Sequence, residues 1–170
     1  MDTNYPWEGH IGITLHPEKK QRFTLKMRIP AWSGGWSVRV NGRTISAPIR
    51  DGYISVKRKW NEGDKVDLTL DMPVEMVEAD PRVREDKGLR AIRRGPIIYC
   101  AEEADNPGSF GQISLSSATQ FTCAKAPALP ENIIALSASD EAGPHLFIPY
   151  FTWDNREAGK MAVWFPWLKE

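Results

Sequence analysis

Cysteine, histidine and long apolar runs are all scarce in this chain of 170 residues, and each scarcity closes off a class of function. Two cysteines, Cys100 and Cys123, are too few for a disulfide framework, and whether they bridge depends on geometry that spacing does not give. Three histidines and no Cys-x-x-Cys leave no ligand set for zinc. His10 and His16 lie six residues apart on a strand-like segment, roughly 20 Å if it is straight, and read as exposed polar positions. No metal site and no cofactor are therefore expected within the chain. No stretch reaches the roughly 18 to 20 apolar residues of a membrane helix. The N-terminal segment Met1 to Pro6 has neither a basic start nor an apolar run, so no signal peptide is expected.

A net charge is also missing. Lys and Arg number 22 and Asp and Glu number 22, so there is no long-range field to draw in nucleic acid or an anionic membrane, and neither is expected as a partner. The longest basic run, Lys57-Arg58-Lys59, reads as a solvated strand end. A nucleophile elbow, a phosphate-binding glycine loop and a dinucleotide fingerprint are all absent. Gly34-Gly35 and Arg94-Gly95-Pro96 read as turns. Helical period, internal repeats and low-complexity segments are not found either.

What remains is alternation with a period of two. Phe23, Leu25, Met27 and Ile29 alternate with Thr24, Lys26 and Arg28, the mark of a strand with one dry face. Trp36, Val38 and Val40 alternate with Ser37 and Arg39 and run into Asn41-Gly42, a tight-turn signal leading to Arg43-Thr44-Ile45. Ile54 and Val56 continue the pattern, Asn61-Glu62-Gly63-Asp64 turns the chain, and Val66, Leu68 and Leu70 resume it. Short alternating strands between turns predict an all-β fold of two antiparallel, jelly-roll-like β-sandwich domains with negligible helix. The charged, Pro- and Gly-interrupted stretch Asp80 to Gly88 reads as the connector, giving domains at 1–80 and 81–170. Pro96 to Cys100 is a continuous apolar run suited to burial on both faces. Glu102 to Asn132 is rich in Ala, Ser, Pro and Gly and reads mostly as loop, with weak strand signals at Ile113–Leu115 and Phe121–Cys123. His145–Trp153 and Met161–Phe165 read as two strands of a hairpin closed by residues 153–160.

Several of these segments, taken in order, resemble glycoside hydrolase family 127, the β-L-arabinofuranosidase-like enzymes. They include Asn4-Tyr5-Pro6-Trp7-Glu8-Gly9, Phe23 to Trp32, Trp60 to Asp64, Arg93 to Cys100 and Ile148 to Arg156. The resemblance spans the whole chain and places it downstream of the family's catalytic domain, with residues 1–80 as most of a middle sandwich, its first strands missing, and residues 81–170 as a C-terminal one. It implies a parent whose helical toroid carries a zinc-bound cysteine nucleophile and a glutamate acid/base. None of those motifs is in this chain, so no catalytic residue is assigned here, and Cys100 and Cys123 do not inherit the nucleophile's role. The resemblance further implies that the chain braces that helical catalytic domain, its partner in the same parent, with a homo-oligomer contact and a glycan as further candidate partners. It also implies a soluble parent of bacterial type, cytoplasmic or periplasmic.

An independent glycosidase site would need two carboxylates about 5 to 9.5 Å apart. Glu102, Glu103 and Asp105 cluster near one strand end and Asp154 and Glu157 share a loop, which 22 acidic residues produce by chance. Seven tryptophans invite a different reading, because indole packs against sugar rings. Trp36 is in phase with a core face. Trp164 is out of phase with Met161, Val163 and Phe165 and so points to the other face. Trp153, beside Asp154, Asn155 and Arg156, offers the best mix of stacking surface and hydrogen-bonding groups. These five residues, Trp153 to Arg156 with Trp164, are the candidates for carbohydrate contact, weighed against core or interdomain packing.

Overall fold

A computed structural model of the chain describes residues 1–126 and 129–168. Strand accounts for 46% of it and helix for 5%, so no helix forms a packing layer. No helix among the described residues is long and apolar enough to cross a membrane. The chain divides into two compact units, Met1–Pro73 and Val74–Glu170.

The first unit contains β1 (Asp2–Thr3), β2 (His10–Thr14), β3 (Gln21–Arg28), β4 (Trp36–Val40), β5 (Arg43–Ile45), β6 (Tyr53–Trp60) and β7 (Lys65–Leu70). Five of them form a sheet in the order β1-β2-β7-β4-β5, and β3 pairs with β6 in a separate antiparallel ribbon. The alternation in the sequence is what joins the two. Met27, Ile54, Val56 and Trp60 from the ribbon share one core with Val38, Val40, Val66, Leu68 and Leu70 from the sheet. Trp36 packs at its margin, as its phase predicts.

One tight turn and one close backbone approach fix the register. Asn41 (φ 50°) and Gly42 (φ 78°) both occupy the left-handed region that a two-residue hairpin turn needs. The Asn41 side chain adds a donation to Asp64 Oδ1 at 2.9 Å and an acceptance from Lys65 N at 2.8 Å. At Gly9 the reason for glycine is space. A Cβ there would lie 1.8 Å from the Leu70 carbonyl oxygen, while the Leu70 amide donates to Gly9 O at 2.9 Å.

The second unit contains β8 (Val74–Val77), β9 (Leu89–Arg94), β10 (Ile97–Glu102), β11 (Thr122–Ala124), β12 (Ala135–Asp140), β13 (Gly143–Pro149), β14 (Met161–Ala162) and β15 (Trp164–Pro166). Its strands run β11-β12-β13-β10-β9-β15, with β8 on β9 and β14 on β10, all antiparallel. Both faces of the middle strands are covered. Cys100 and Ile148 pack with Ala135, Leu146 and Met161. Phe147 makes edge contacts with Phe121 at 5.8 Å and Phe165 at 5.4 Å. The continuous apolar run at β10 therefore has its expected two-sided burial, and the Tyr99 hydroxyl donates to Ile134 O at 3.0 Å.

Two details differ from the sequence reading. The units part between Pro73 and Val74 and not near residue 80, because Val74–Val77 pairs with Ala91–Arg94 and so belongs to the second unit. The expected hairpin of residues 145–153 with 161–165 does not form. Strand β13 pairs with β10 and β12, while β14 and β15 go to β10 and β9. Within the segment Glu102–Asn132, of which residues 127 and 128 lie outside the described residues, the weak strand signal at Phe121–Cys123 corresponds to the short strand β11 on β12. Cys100 and Cys123 are both free thiols.

Trp60 tests the first core. It is fully buried, its indole N–H donates to Phe23 O at 3.2 Å, and its ring lies 5.8 Å from that of Phe23. Trp60→Ala is expected to cost about 3 to 5 kcal/mol in urea-induced unfolding. A cost under about 1 kcal/mol would show that the two sheets do not share this core.

Candidate functional site

Strand β13 ends at Pro149, and the chain turns through a short 3-10 segment, Tyr150–Thr152. The buried Thr152 hydroxyl donates back to Pro149 O at 2.7 Å and closes that turn. Tyr150, Phe151 and Trp153 are left exposed, with the Tyr150 and Trp153 rings 6.4 Å apart and tilted by only 18°. Asp154 takes a left-handed conformation (φ 58°), and its amide donates to Glu102 Oε1 at 2.8 Å. Asn155 donates from its side chain to Thr152 O at 3.1 Å.

Arg156 holds this loop to the end of β10. Nη1 reaches Asp105 Oδ1 at 2.5 Å and Nη2 reaches Asp105 Oδ2 at 2.6 Å, a two-pronged ion pair, while Nη2 also contacts Glu102 Oε2. All three side chains are at most 15% exposed. The Asp105 hydrogen bonds raise the Arg156 pKa above its ordinary value, with Glu102 adding to them and burial opposing both. Asn106, 2% exposed, donates to Glu102 O and Leu146 O and accepts from Leu146 N, tying the same turn to β13. The Glu103 amide donates to Lys160 O at 2.9 Å and closes the loop's far end.

This geometry sorts the sequence candidates. Trp153 stands on an exposed shelf. Asp154 and Asn155 flank it, each with one group already engaged in shaping the loop. Arg156 points inward and serves as a positioning residue, so it is not a contact for a ligand on the shelf. Trp164 lies in β15 opposite Ala91, half-buried, on a different element from the shelf. Tyr150 and Phe151 were missed by the sequence reading, which assigned them to a strand. Their signal was the adjacency of three aromatics within four residues just after Pro149.

Glu102 and Asp105 do come together, and Arg156 sits on both. Two carboxylates bound to one guanidinium lack the separated acid and base that glycoside cleavage requires. Cys100 lies close to the same charges. Burial, then the Glu102 and Asp105 carboxylates, push its thiol up to about 12, so the thiolate is disfavoured at neutral pH. Among the described residues no group of three His, Cys, Asp or Glu side chains could hold a metal.

A second cluster lies at the β12–β13 hairpin. Asp140 Oδ1 is 2.7 Å from His145 Nε2, and Ser109 Oγ is 3.5 Å from His145 Nδ1. The residue types are those of a nucleophilic triad, but the surrounding donors are spent. The Ser109 and Phe110 amides both go to Asn106 O, and Asp140 accepts from the Ser114 and Ala142 amides. The cluster is a hairpin clamp.

Two all-β domains in tandem, each with its own core, define the class of this chain. Residues 1–72 match the family model described as "Beta-L-arabinofuranosidase, GH127 middle domain", and residues 74–166 match "Glycoside hydrolase family 127 C-terminal domain". The chain therefore belongs to glycoside hydrolase family 127, through its middle and C-terminal domains. A curated relative, the non-reducing end β-L-arabinofuranosidase of Bifidobacterium longum subsp. longum, is 32% identical over 95% of this chain and 29% of its own length. A crystal structure of a GH127 β-L-arabinofuranosidase from Geobacillus stearothermophilus T6 matches with 35% identity and a TM-score of 0.90, over 98% of this chain and 30% of that one. A second solved GH127 β-arabinofuranosidase gives 35% identity and a TM-score of 0.86, over 97% and 31%. The chain thus spans about a third of the length of the relatives it matches.

Two expectations test the site. Arg156→Met leaves two carboxylates buried without their cation and is expected to lower stability by about 3 to 5 kcal/mol in denaturant titration. Asp140 tests the clamp. Burial alone would raise its carboxyl, yet hydrogen bonds from His145 and from the Ser114 and Ala142 amides hold it below the ordinary 3.8. A lowered folded-state pKa adds stability above the ordinary value that is lost as pH falls through it. Asp140→Asn should therefore be less stable than the parent near neutral pH by about 1 to 2 kcal/mol, with the gap closing in thermal melts below about pH 3.8.

Proposed function

We propose that this chain is the β-domain portion of an arabinofuranosidase-like glycoside hydrolase and that it braces a helical catalytic domain lying outside these residues. Coverage carries the reading. The relatives match nearly all of this chain and only 29–32% of their own lengths, so most of a relative has no counterpart here. The chemistry of the residues supports it. The acidic pair is neutralised by Arg156, the buried cysteine is held as a thiol, and the described residues do not fit a zinc ion. On this reading the zinc-thiolate chemistry that the resemblance implies belongs to the other domain. The 170-residue chain, purified, should show no turnover of aryl β-L-arabinofuranosides above the blank. Turnover would overturn the proposal.

One observation favours a second reading, that of a carbohydrate-binding module. Tyr150 and Trp153 expose nearly parallel neighbouring rings beside Asp154 and Asn155, a suitable platform for the apolar face of a sugar. Calorimetric titration with arabinan oligosaccharides separates the two. The bracing role gives no heat of binding, whereas micromolar binding removed by Trp153→Ala gives the module.

A further inference from the structure

The first unit carries a second surface whose chemistry differs from that of the aromatic shelf. In the β3–β6 ribbon the inward positions feed the core, and the outward ones are all exposed. The register sets Arg22 opposite Lys59, Thr24 opposite Lys57, Lys26 opposite Ser55 and Arg28 opposite Tyr53. Five cations thus share one face of a ribbon about 26 Å long. Neither strand contains an Asp or Glu. Among the described residues none of the five cations forms an ion pair. The sequence hid this face, since half of it lies around Arg22 to Arg28 and half around Lys57 to Lys59, and the net charge of the chain is zero. The cancellation is between units: residues 1–73 hold twelve Lys and Arg against eight Asp and Glu.

Cations placed directly opposite one another, as Arg22 and Lys59 are, destabilise a strand pair. Solubility would be served equally by mixed signs, and guarding an edge with lysine does not call for cations set opposite one another across the ladder, so neither accounts for the arrangement. A stable protein interface is a poor fit as well, because its centre is depleted in lysine and built on apolar groups. Here the cations are interleaved with the hydroxyls of Thr24 and Ser55 and with the ring of Tyr53, over which Arg28 lies at 5.9 Å. Regularly spaced cations, hydroxyl partners and a sugar-stacking ring, with no aliphatic centre, are the complement of a polymer of acidic sugars.

We propose that the outer face of the β3–β6 ribbon binds a carboxylate-bearing polysaccharide of the polyuronate type, with Arg22, Lys26, Arg28, Lys57 and Lys59 meeting successive carboxylates. The choice of a glycan among polyanions rests on the reading of the parent as a glycoside hydrolase, while the cation array stands on the strand register alone.

The test is calorimetric titration of the 170-residue chain with polygalacturonate, with neutral arabinan and duplex DNA as comparisons, at low and at physiological salt. Polygalacturonate is expected to bind, with affinity falling at least tenfold as salt rises from about 20 to about 150 mM, and arabinan is expected not to bind at this face. The triple variant Arg22→Gln/Lys26→Gln/Lys57→Gln should lose at least tenfold in affinity while its melting temperature holds or rises, since opposed like charges are removed. A purely structural role for these residues would not produce that split. Absence of polygalacturonate binding, retention of binding in the triple variant, or tighter binding of DNA at matched charge would each overturn the proposal. So would self-association at low salt that the same variant abolishes and polygalacturonate does not compete. Turnover of an arabinofuranoside by the chain would sink the accessory-domain reading and leave this result standing.

Discussion

A single buried guanidinium organises the second unit. Arg156 arrives from a loop that has no ladder of its own, and it meets two carboxylates, Glu102 and Asp105, from the far end of β10. The neighbouring contacts converge on the same segment. The Glu102 side chain can receive the Asp154 amide, which sets the left-handed bend after Trp153. Asn106 satisfies both backbone groups of Leu146 and locks the turn to β13. The aromatic shelf depends on this scaffold, because Tyr150, Phe151 and Trp153 are held out by a turn and are not drawn into the core. A buried charge cluster is weak grounds for net stability, since desolvation offsets much of its attraction. Its value here is geometric: it specifies one path for a loop that hydrophobic packing would leave undetermined.

The first unit solves its problem differently. Its register is set by short turns and by the close approach of Gly9 to Leu70, and its stability comes from apolar side chains pointing into one shared core. It needs no buried ion pair, and its charges are free to decorate the surface. That division explains how one family chain can place its cations on an open ribbon in one unit and its carboxylates inside the other.

What could be read from the sequence followed the same division. The alternation through Phe23–Ile29, Trp36–Val40 and Val66–Leu70 identified strands, faces and core, because each strand has one wet side and one dry side. Strand β12 escaped notice, since Ala135, Ser137, Ala138 and Ser139 are small and carry little contrast between faces. The pairing of β14 and β15 was misjudged because nearness in sequence suggested a hairpin, while the actual partners lie on β10 and β9. At the candidate site, the sequence pointed to the right loop through Trp153 to Arg156. It could not tell that Arg156 faces inward, because the two carboxylates it meets lie some fifty residues earlier. Trp164, singled out by its phase, lies on β15, a different element from the shelf.

The pairing pattern also has a consequence in time. The ladders described in the first unit all lie between Asp2 and Leu70, so both strands of each are present once that stretch has left the ribosome. The second unit is different, because β9, made early, must wait for Trp164–Pro166 to complete its edge. Long-range closure of this kind slows folding and leaves strand edges open meanwhile. The ladders of the first unit can therefore form during synthesis while β8, β9 and β10 remain incomplete. The interval between β9 and β15 is where this chain is most exposed to mispairing, and the arrival of Arg156 shortly before β15 falls within it.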